Sequence, residues 1–238
     1  MNLIKEVWTE NDMKSFETYL ISIKNEEKIN WTKNIINTKK KVLAIKSNIL
    51  KNIAKEIYKG NFQSFLDYML HNYHEEIIIN AFIINKIKDY KLKTKYLSKY
   101  LKYIDNWASC DTLKFDNNNK YLELSEKYIE KSNNFTKRVG IIILFTFIKT
   151  NINEIFEILK KINSNDYYVN MAYAWILCEC FIKKPKETIN FLENNQINTF
   201  VINKMVSKIN DSYRVTKEEK EKMKKYKTPV YSENIKKQ

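Results

Sequence analysis

Glycine and proline are almost absent from this chain, which has two of each in 238 residues. Folds with many strands need tight turns, and those turns depend on glycine and proline. Lysine, leucine and glutamate are good helix formers, and with abundant isoleucine and asparagine they suit helices joined by short polar loops. The composition therefore predicts an all-α protein, and 44% hydrophobic residues are enough for a buried core.

The net charge of the chain is +14 at pH 7. A field of this sign concentrates polyanions such as nucleic acid or anionic lipid at the protein surface. An excess of lysine, asparagine, isoleucine and tyrosine is also what an AT-rich coding bias produces. The charge alone therefore leaves two interpretations open: a polyanion-binding protein, or a protein whose lysines reflect codon usage.

The longest apolar run, residues 139–148, has ten residues. That is about half of what a membrane-spanning helix needs, so we expect a buried core helix. The first twenty residues lack the apolar stretch of a signal peptide, and we expect the mature protein to begin at Met1. The three cysteines, which lack metal-ligand spacing, favour reduced thiols in the cytoplasm.

A capping side chain directly before an aromatic residue recurs in the second half of the chain. The pairs are Asn106-Trp107, Asn134-Phe135, Asp166-Tyr167 and Thr199-Phe200. Their aromatic residues are 28, 32 and 33 positions apart. Periods of this length, with two helices each, are typical of helical solenoids, because one helix pair cannot bury its apolar face without its neighbours. We expect one repeat domain over residues 1–226 and a flexible tail over residues 227–238.

Apolar periodicity and capping signals predict thirteen helices. Pro185 is expected to begin one of them, and the spacing of Thr216 and Glu219 predicts a capping box. The predicted helices lie near residues 10–24, 48–59, 61–70, 74–88, 93–103, 106–114, 119–131, 134–149, 151–162, 167–182, 185–193, 198–209 and 216–225.

Four residues form the candidate site. Trp107 and Asp111 are four apart, so a helix puts the indole and the carboxylate on one face. Arg138 opens a strongly apolar segment and is one of only two arginines among 42 basic residues. With Trp175, these residues can hold a polyanionic strand, pack sugar or base faces on indoles and present a carboxylate to positive charge. From spacing alone, tryptophans in the core and a solvated or ion-paired acid are the commoner roles of such residues.

Several segments resemble the DNA alkylation repair proteins built from HEAT-like repeats, the AlkD-type alkylpurine DNA glycosylases. The resemblance rests on the tryptophan and aspartate four apart, the later arginine and the still later tryptophan. It covers roughly residues 40–215. The segments that carry it are residues 42–57, 73–76, 104–111, 134–140, 166–175 and 212–215.

The resemblance implies a right-handed-type helical solenoid of HEAT-like (armadillo-like) repeats that acts as a monomer on duplex DNA, without a cofactor or metal. It implies that Trp107, Asp111 and Trp175 contact the deoxyribose of the damaged nucleotide. Arg138 would help to hold the DNA backbone. The implied reaction hydrolyses the N-glycosidic bond of cationic N3- or N7-alkylated purines, as in base excision repair. Further DNA-binding residues are expected to be Lys46, Lys51 and Lys137.

The chain departs from the family pattern in three places. Asn170 and Met171 stand where basic residues are common, and Phe135 stands where a tryptophan is usual. Lys46 and Lys51 replace arginines, which keeps the charge but loses bidentate phosphate geometry. These departures leave the sugar-contacting set intact, and they leave substrate range and catalytic power open.

Other readings of the chain remain. A non-catalytic helical-repeat module for branched or damaged DNA is one alternative, and a protein-binding solenoid whose charge is only codon bias is another.

His71 and His74 could share a metal, but no third ligand supports this, and packing or capping is the expected role. We expect Glu75 to form structural hydrogen bonds between helices, and Arg214 to form an ion pair or to lie at a helix terminus.

Overall fold

The structure is a computed structural model that describes residues 1–228. These residues form fourteen α-helices and no β-strand, which confirms the all-α prediction. The chain divides into two compact units, of which the first is Met1–Lys114 and the second begins at Phe115. Of the predicted tail, residues 229–238 lie outside the described residues.

The first unit contains seven α-helices and a short 3-10 helix, Glu26–Lys28, just before α2. Helix α3 packs on α5, and α5 also packs on α6 and α7. The helices are α1 (Glu10–Ser22), α2 (Ile29–Ile36), α3 (Ser47–Lys59), α4 (Phe62–Tyr68), α5 (His74–Ile84), α6 (Tyr90–Tyr100) and α7 (Trp107–Asp111).

The second unit shows helices packed in series. Helix α9 packs on α8 and α11, and α11 packs in turn on α12 and α13, while α10 packs on α8. This succession of neighbouring helix pairs is the arrangement of a helical-repeat protein. The helices are α8 (Lys120–Ile129), α9 (Asn134–Leu144), α10 (Ile152–Lys160), α11 (Tyr167–Lys183), α12 (Pro185–Glu193), α13 (Thr199–Asp211) and α14 (Lys217–Lys224).

Capping signals place most helix starts correctly. Asn106 and Asp166 are N-caps, as predicted, because their side chains accept hydrogen bonds from the first turns of α7 and α11. The prediction is wrong by one residue at two starts, where Asn133 and Asn198 are the caps. Asn133 reaches the Thr136 N–H at 2.9 Å, so the next residue is already helical.

Helix α2 is missing from the sequence-based prediction. Asparagine and β-branched residues give it low intrinsic helix propensity, and no side chain caps its start. It ends at Asn37, whose φ of 52° is left-handed. Packing stabilises it instead, since Ile36 is buried and Ile29 packs against the same apolar cluster.

Two predicted helix starts in the second unit are confirmed. Pro185 is the first residue of α12, where its missing N–H costs nothing. Thr216 and Glu219 form the expected capping box: the Thr216 N–H donates to the Glu219 carboxylate at 2.9 Å, and the Glu219 N–H donates to the Thr216 hydroxyl at 3.2 Å.

The apolar run 139–148 is mostly buried, as predicted, in α9 and the 3-10 helix Phe145–Phe147 that follows it. Among the described residues, none of the helices is long and apolar enough to cross a membrane. The three cysteines are free and buried, and burial raises the pKa of Cys178 to about 11. A thiol with so high a pKa is unreactive.

Gly140 allows α8 and α9 to approach closely. Its carbonyl accepts a hydrogen bond from the Ser125 hydroxyl at 2.8 Å. A Cβ at position 140 would lie 2.9 Å from the Ser125 carbonyl oxygen and 2.9 Å from Cγ1 of Ile129. The first of these neighbours is backbone, so it cannot move without displacing α8.

We predict that Gly140→Ala lowers the free energy of unfolding by about 1–3 kcal/mol, because the added methyl group overpacks the α8–α9 contact. Equilibrium urea unfolding measures this change. The matched control is Asn52→Ala on the exposed face of α3, which should be neutral or stabilising. Stabilisation of the protein by Gly140→Ala would contradict the close approach.

Candidate functional site

A hydrogen bond and an apolar contact fix the orientation of the Trp107 side chain in the first unit. Its indole Nε1 donates a hydrogen bond to the carbonyl oxygen of Ile35 on α2, at 3.2 Å. The ring packs against the buried cluster of Ile36, Val42 and Ala44. The indole is only partly buried, so its orientation is fixed while part of its surface stays accessible.

A hydrogen-bond network fixes the start of α7. The buried Asn106 side chain accepts from the Ser109 N–H at 3.0 Å and donates to the Asp105 carboxylate at 2.9 Å. That carboxylate also accepts from the Thr38 hydroxyl at 2.7 Å and from the Lys39 N–H at 2.9 Å. The network ties α7 to the segment that follows α2.

His74 extends the network towards α5. Its Nδ1 lies 3.4 Å from the Asn106 side-chain nitrogen. Burial lowers the pKa of His74 to about 4, with Lys40 acting in the same direction and Asp105 opposing it. The imidazole is therefore neutral near pH 7, and its Nδ1 can accept from the Asn106 amide.

His71 has different surroundings, since it stacks on Tyr103 with ring centroids 3.8 Å apart. Its Nδ1 lies 2.8 Å from the Met69 carbonyl oxygen. No group of three His, Cys, Asp or Glu residues within 1–228 is arranged to hold a metal ion.

Asp111 is the last residue of α7, one turn after Trp107, and it is partly buried. The predicted helix 106–114 is therefore too long. Asn85 explains the early end, because its side chain donates to the Thr112 carbonyl at 2.8 Å and accepts from the Lys114 N–H at 2.7 Å. Those backbone groups are thus satisfied outside a helix. Helix α7 presents Trp107 and Asp111 on one face, as the spacing predicts.

A buried carboxylate stabilises the loop that contains Ala44, a residue of the apolar cluster against which Trp107 packs. Glu75 is 2% exposed and accepts a hydrogen bond from the Leu43 N–H at 2.9 Å. Burial raises the pKa of Glu75, while the N–H groups of Leu43, Ala44 and Ile45 oppose that rise. Ala44 has a φ of 55°, a left-handed conformation that an alanine adopts only when its surroundings impose it. Glu75 therefore forms a structural hydrogen bond, as predicted, although its partner lies in the loop before α3 rather than in a helix.

In the second unit, Arg138 lies on α9 and is only 5% exposed. Its Nη1 donates to the Tyr168 carbonyl oxygen at 2.5 Å, in the first turn of α11. Trp175 lies further along α11, partly exposed, with its ring centroid 4.6 Å from that of Phe145. The predicted DNA-backbone contact of Arg138 stays a prediction, and the structure adds a structural role for its guanidinium.

The predicted DNA-binding lysines differ in exposure. Lys46 is exposed at the N-cap position of α3, and Lys51 is exposed on α3 with its Nζ 5.6 Å from the centre of the Phe82 ring. Lys137 is partly buried on α9. Their contacts with DNA stay predictions.

Arg214 forms a bidentate ion pair with Glu179, through Nη1 at 2.9 Å and Nη2 at 2.5 Å. The two side chains lie 35 positions apart, on α11 and just after α13. The predicted ion-pair role of Arg214 is confirmed.

Sequence reasoning missed Trp31 on α2, which is 65% exposed. An apolar side chain recurs four residues later at Ile35, which is 47% exposed. That spacing was a signal for a helix with one apolar face. Helix α2 therefore supplies both the carbonyl that holds Trp107 and an exposed indole of its own.

Comparison with known families gives one match. A family described as DNA alkylation repair enzyme matches residues 16–225 of the chain. This stretch includes Trp107, Asp111, Arg138 and Trp175 and covers far more than half of the chain. No curated protein is detectably similar to it.

We predict that the two arginines differ in their effect on stability. Arg138→Leu should lower the free energy of unfolding by about 1–3 kcal/mol, because it removes the hydrogen bond that a buried charged group makes to the start of α11. Arg214→Leu, the matched control, should cost less, because the Arg214 side chain is 56% exposed and water can take its place at the Glu179 carboxylate. Chemical denaturation of both variants measures the difference. Equal losses in the two variants would show that Arg138 does not hold α11.

Proposed function

The chain belongs to the DNA alkylation repair enzyme family, and on that premise we propose that it is a DNA glycosylase for cationic N3- or N7-alkylated purines in duplex DNA. One observation carries the proposal. The one-turn helix α7 presents an indole of fixed orientation and a carboxylate on the same face, from positions Trp107 and Asp111.

The reaction suits this pair of side chains. A purine alkylated at N3 or N7 already carries a positive charge, so the bond between C1′ and the base breaks with both electrons going to the base. The base leaves neutral, without a general acid. C1′ gains oxocarbenium character, and a water molecule adds there and loses a proton, which leaves an abasic site. The enzyme has only to stabilise the developing cation and place the water.

We assign the cation-stabilising role to Asp111. Its carboxylate attracts positive charge more strongly in the transition state, where that charge moves onto the sugar, than in the ground state. In a partly desolvated site the gain is a few kcal/mol. Trp107 adds a flat indole beside the sugar, and its hydrogen bond to Ile35 prevents rotation away from it.

The remaining residues receive supporting roles. We propose that Trp175 offers a second indole to the deoxyribose, as the family resemblance implies. Arg138 is only 5% exposed and donates to the Tyr168 carbonyl, so we assign it the task of holding α11, the helix that carries Trp175.

The surface of the first unit supports contact with DNA. Helix α2 carries the exposed Trp31. An exposed indole provides a stacking platform for bases or sugars. We propose that α2 contacts DNA beside the damaged nucleotide.

We predict that Asp111→Asn slows the release of alkylpurine from methylated duplex DNA by about 100-fold or more, because the amide keeps the shape of the carboxylate and loses its charge. Single-turnover release of the modified base measures the rate. The matched control is Asp116→Asn, an exposed acid in the loop after α7, which should retain the wild-type rate.

Two outcomes would contradict the proposal. Wild-type protein that releases no base above the spontaneous rate is not a glycosylase for these lesions. Asp111→Asn at the wild-type rate would remove the carboxylate from the mechanism. Salt-dependent DNA binding without base release would instead support the non-catalytic DNA-binding module, which the departures at Asn170 and Met171 also favour.

A further inference from the structure

The second unit contains a cavity that the proposed reaction does not use. Its volume is about 390 Å³. It is bounded by the segment after α10, by Asn170 and Tyr173 of α11, by Phe191 of α12 and by Val201 of α13. All of these elements belong to one compact unit.

Two buried polar side chains face this cavity without a partner. Asn170 and Tyr173 are three residues apart on one face of α11, and each is only 6% exposed. Within residues 1–228, neither side chain makes a hydrogen bond. Their polar atoms are therefore open to water from the cavity, and a ligand that bonds to both replaces that water.

The charges around the cavity favour a neutral ligand. Lys160 is the one charged residue among the described residues that line it, and its Nζ lies 2.6 Å from the carboxylate of Glu157. A charged ligand would have to be desolvated without an opposite charge to pair with. Burial also raises the pKa of Tyr173, which keeps its hydroxyl neutral, as a donor and an acceptor.

The remaining walls combine a small apolar surface with neutral polar groups. Phe191, Val201 and Ile197 are apolar. The ring of Phe191 is held in place by Phe156, on which it stacks at 4.3 Å with an interplanar angle of 8°. A ligand that suits the cavity therefore has a flat face for Phe191 and polar edges that both donate and accept hydrogen bonds. The neutral polar residues of the lining are Asn163, Ser164, Asn165, Asn195, Gln196 and Asn198.

We propose that this cavity binds a neutral nucleobase, and adenine before the other bases. A carboxamide can pair with adenine through two hydrogen bonds, donating to N7 and accepting from N6. Asn170 supplies that carboxamide, the Tyr173 hydroxyl bonds to a further ring nitrogen, and Phe191 covers one face of the ring. The base can come as a free base or nucleoside, or as an unpaired nucleotide in a single strand. The site is independent of the glycosylase reaction.

Isothermal titration calorimetry of the full chain tests the proposal with adenine, adenosine, uridine and a single-stranded deoxyadenosine oligonucleotide as probes. Adenosine should bind saturably and about tenfold or more tightly than uridine, since one bidentate pair discriminates by that much. Binding of adenine and adenosine identifies the free compound as the source. Binding of the oligonucleotide alone identifies a nucleotide within a strand, and either result supports the site.

Variants locate the binding within the cavity. Asn170→Leu should weaken binding of whichever probe binds by about tenfold or more, and Tyr173→Phe should weaken it several-fold, because each removes only hydrogen-bonding groups. Tyr167→Phe, on the same helix but outside the cavity lining, is the matched control and should bind like wild type. If Asn170→Leu fails to fold, Tyr173→Phe alone decides the test, since it keeps the ring. The proposal is overturned if no probe binds saturably at millimolar concentration, or if neither variant weakens binding.

Discussion

Inside the first unit, the carboxylate of Glu75 accepts a hydrogen bond from the Leu43 N–H at 2.9 Å, and the N–H groups of Leu43, Ala44 and Ile45 act to lower the pKa of Glu75. This contact joins α5 to a loop whose left-handed residue, Ala44, would not hold its conformation unaided. Ala44 belongs to the apolar cluster against which Trp107 packs. Because α7 has only five residues, it is far too short to be stable alone, so its position depends on such contacts.

The candidate site is thus supported by residues that take no part in the proposed chemistry. Asn106, Asp105 and Thr38 fix the start of α7, and Asn85 fixes its end. Arg138 has a comparable role in the second unit, where a buried charged group on α9 bonds to a backbone carbonyl at the start of α11. In each unit, a polar side chain bonded to backbone positions a helix that carries a proposed site residue.

Local signals predicted much of this structure. Helix periodicity and capping residues located thirteen of the helices, and the four-residue spacing put Trp107 and Asp111 on one face. Helix α2 escaped prediction because packing rather than propensity stabilises it. The residues that position α7 were not predicted for a related reason. Thr38 and Asp105, for example, are 67 positions apart, so no local sequence pattern connects them. The scarcity of arginine drew attention to Arg138, but only the fold shows that its guanidinium is buried.

The most direct test is hydrogen exchange of the Trp107 indole N–H, followed by NMR in wild type and in Glu75→Gln. It asks whether Glu75 stabilises the apolar cluster and the hydrogen bond that position Trp107. Glutamine keeps one carbonyl oxygen and loses the negative charge, so the hydrogen bond that the Leu43 N–H donates becomes weaker. Since a hydrogen bond to a charged group contributes about 1.5–3 kcal/mol, protection of the Leu43 amide and of the Trp107 indole should fall together by about tenfold or more. Trp175, in the second unit, should keep its wild-type exchange rate. If the Leu43 amide loses protection while the Trp107 indole keeps it, the loop does not support α7 and the account is wrong.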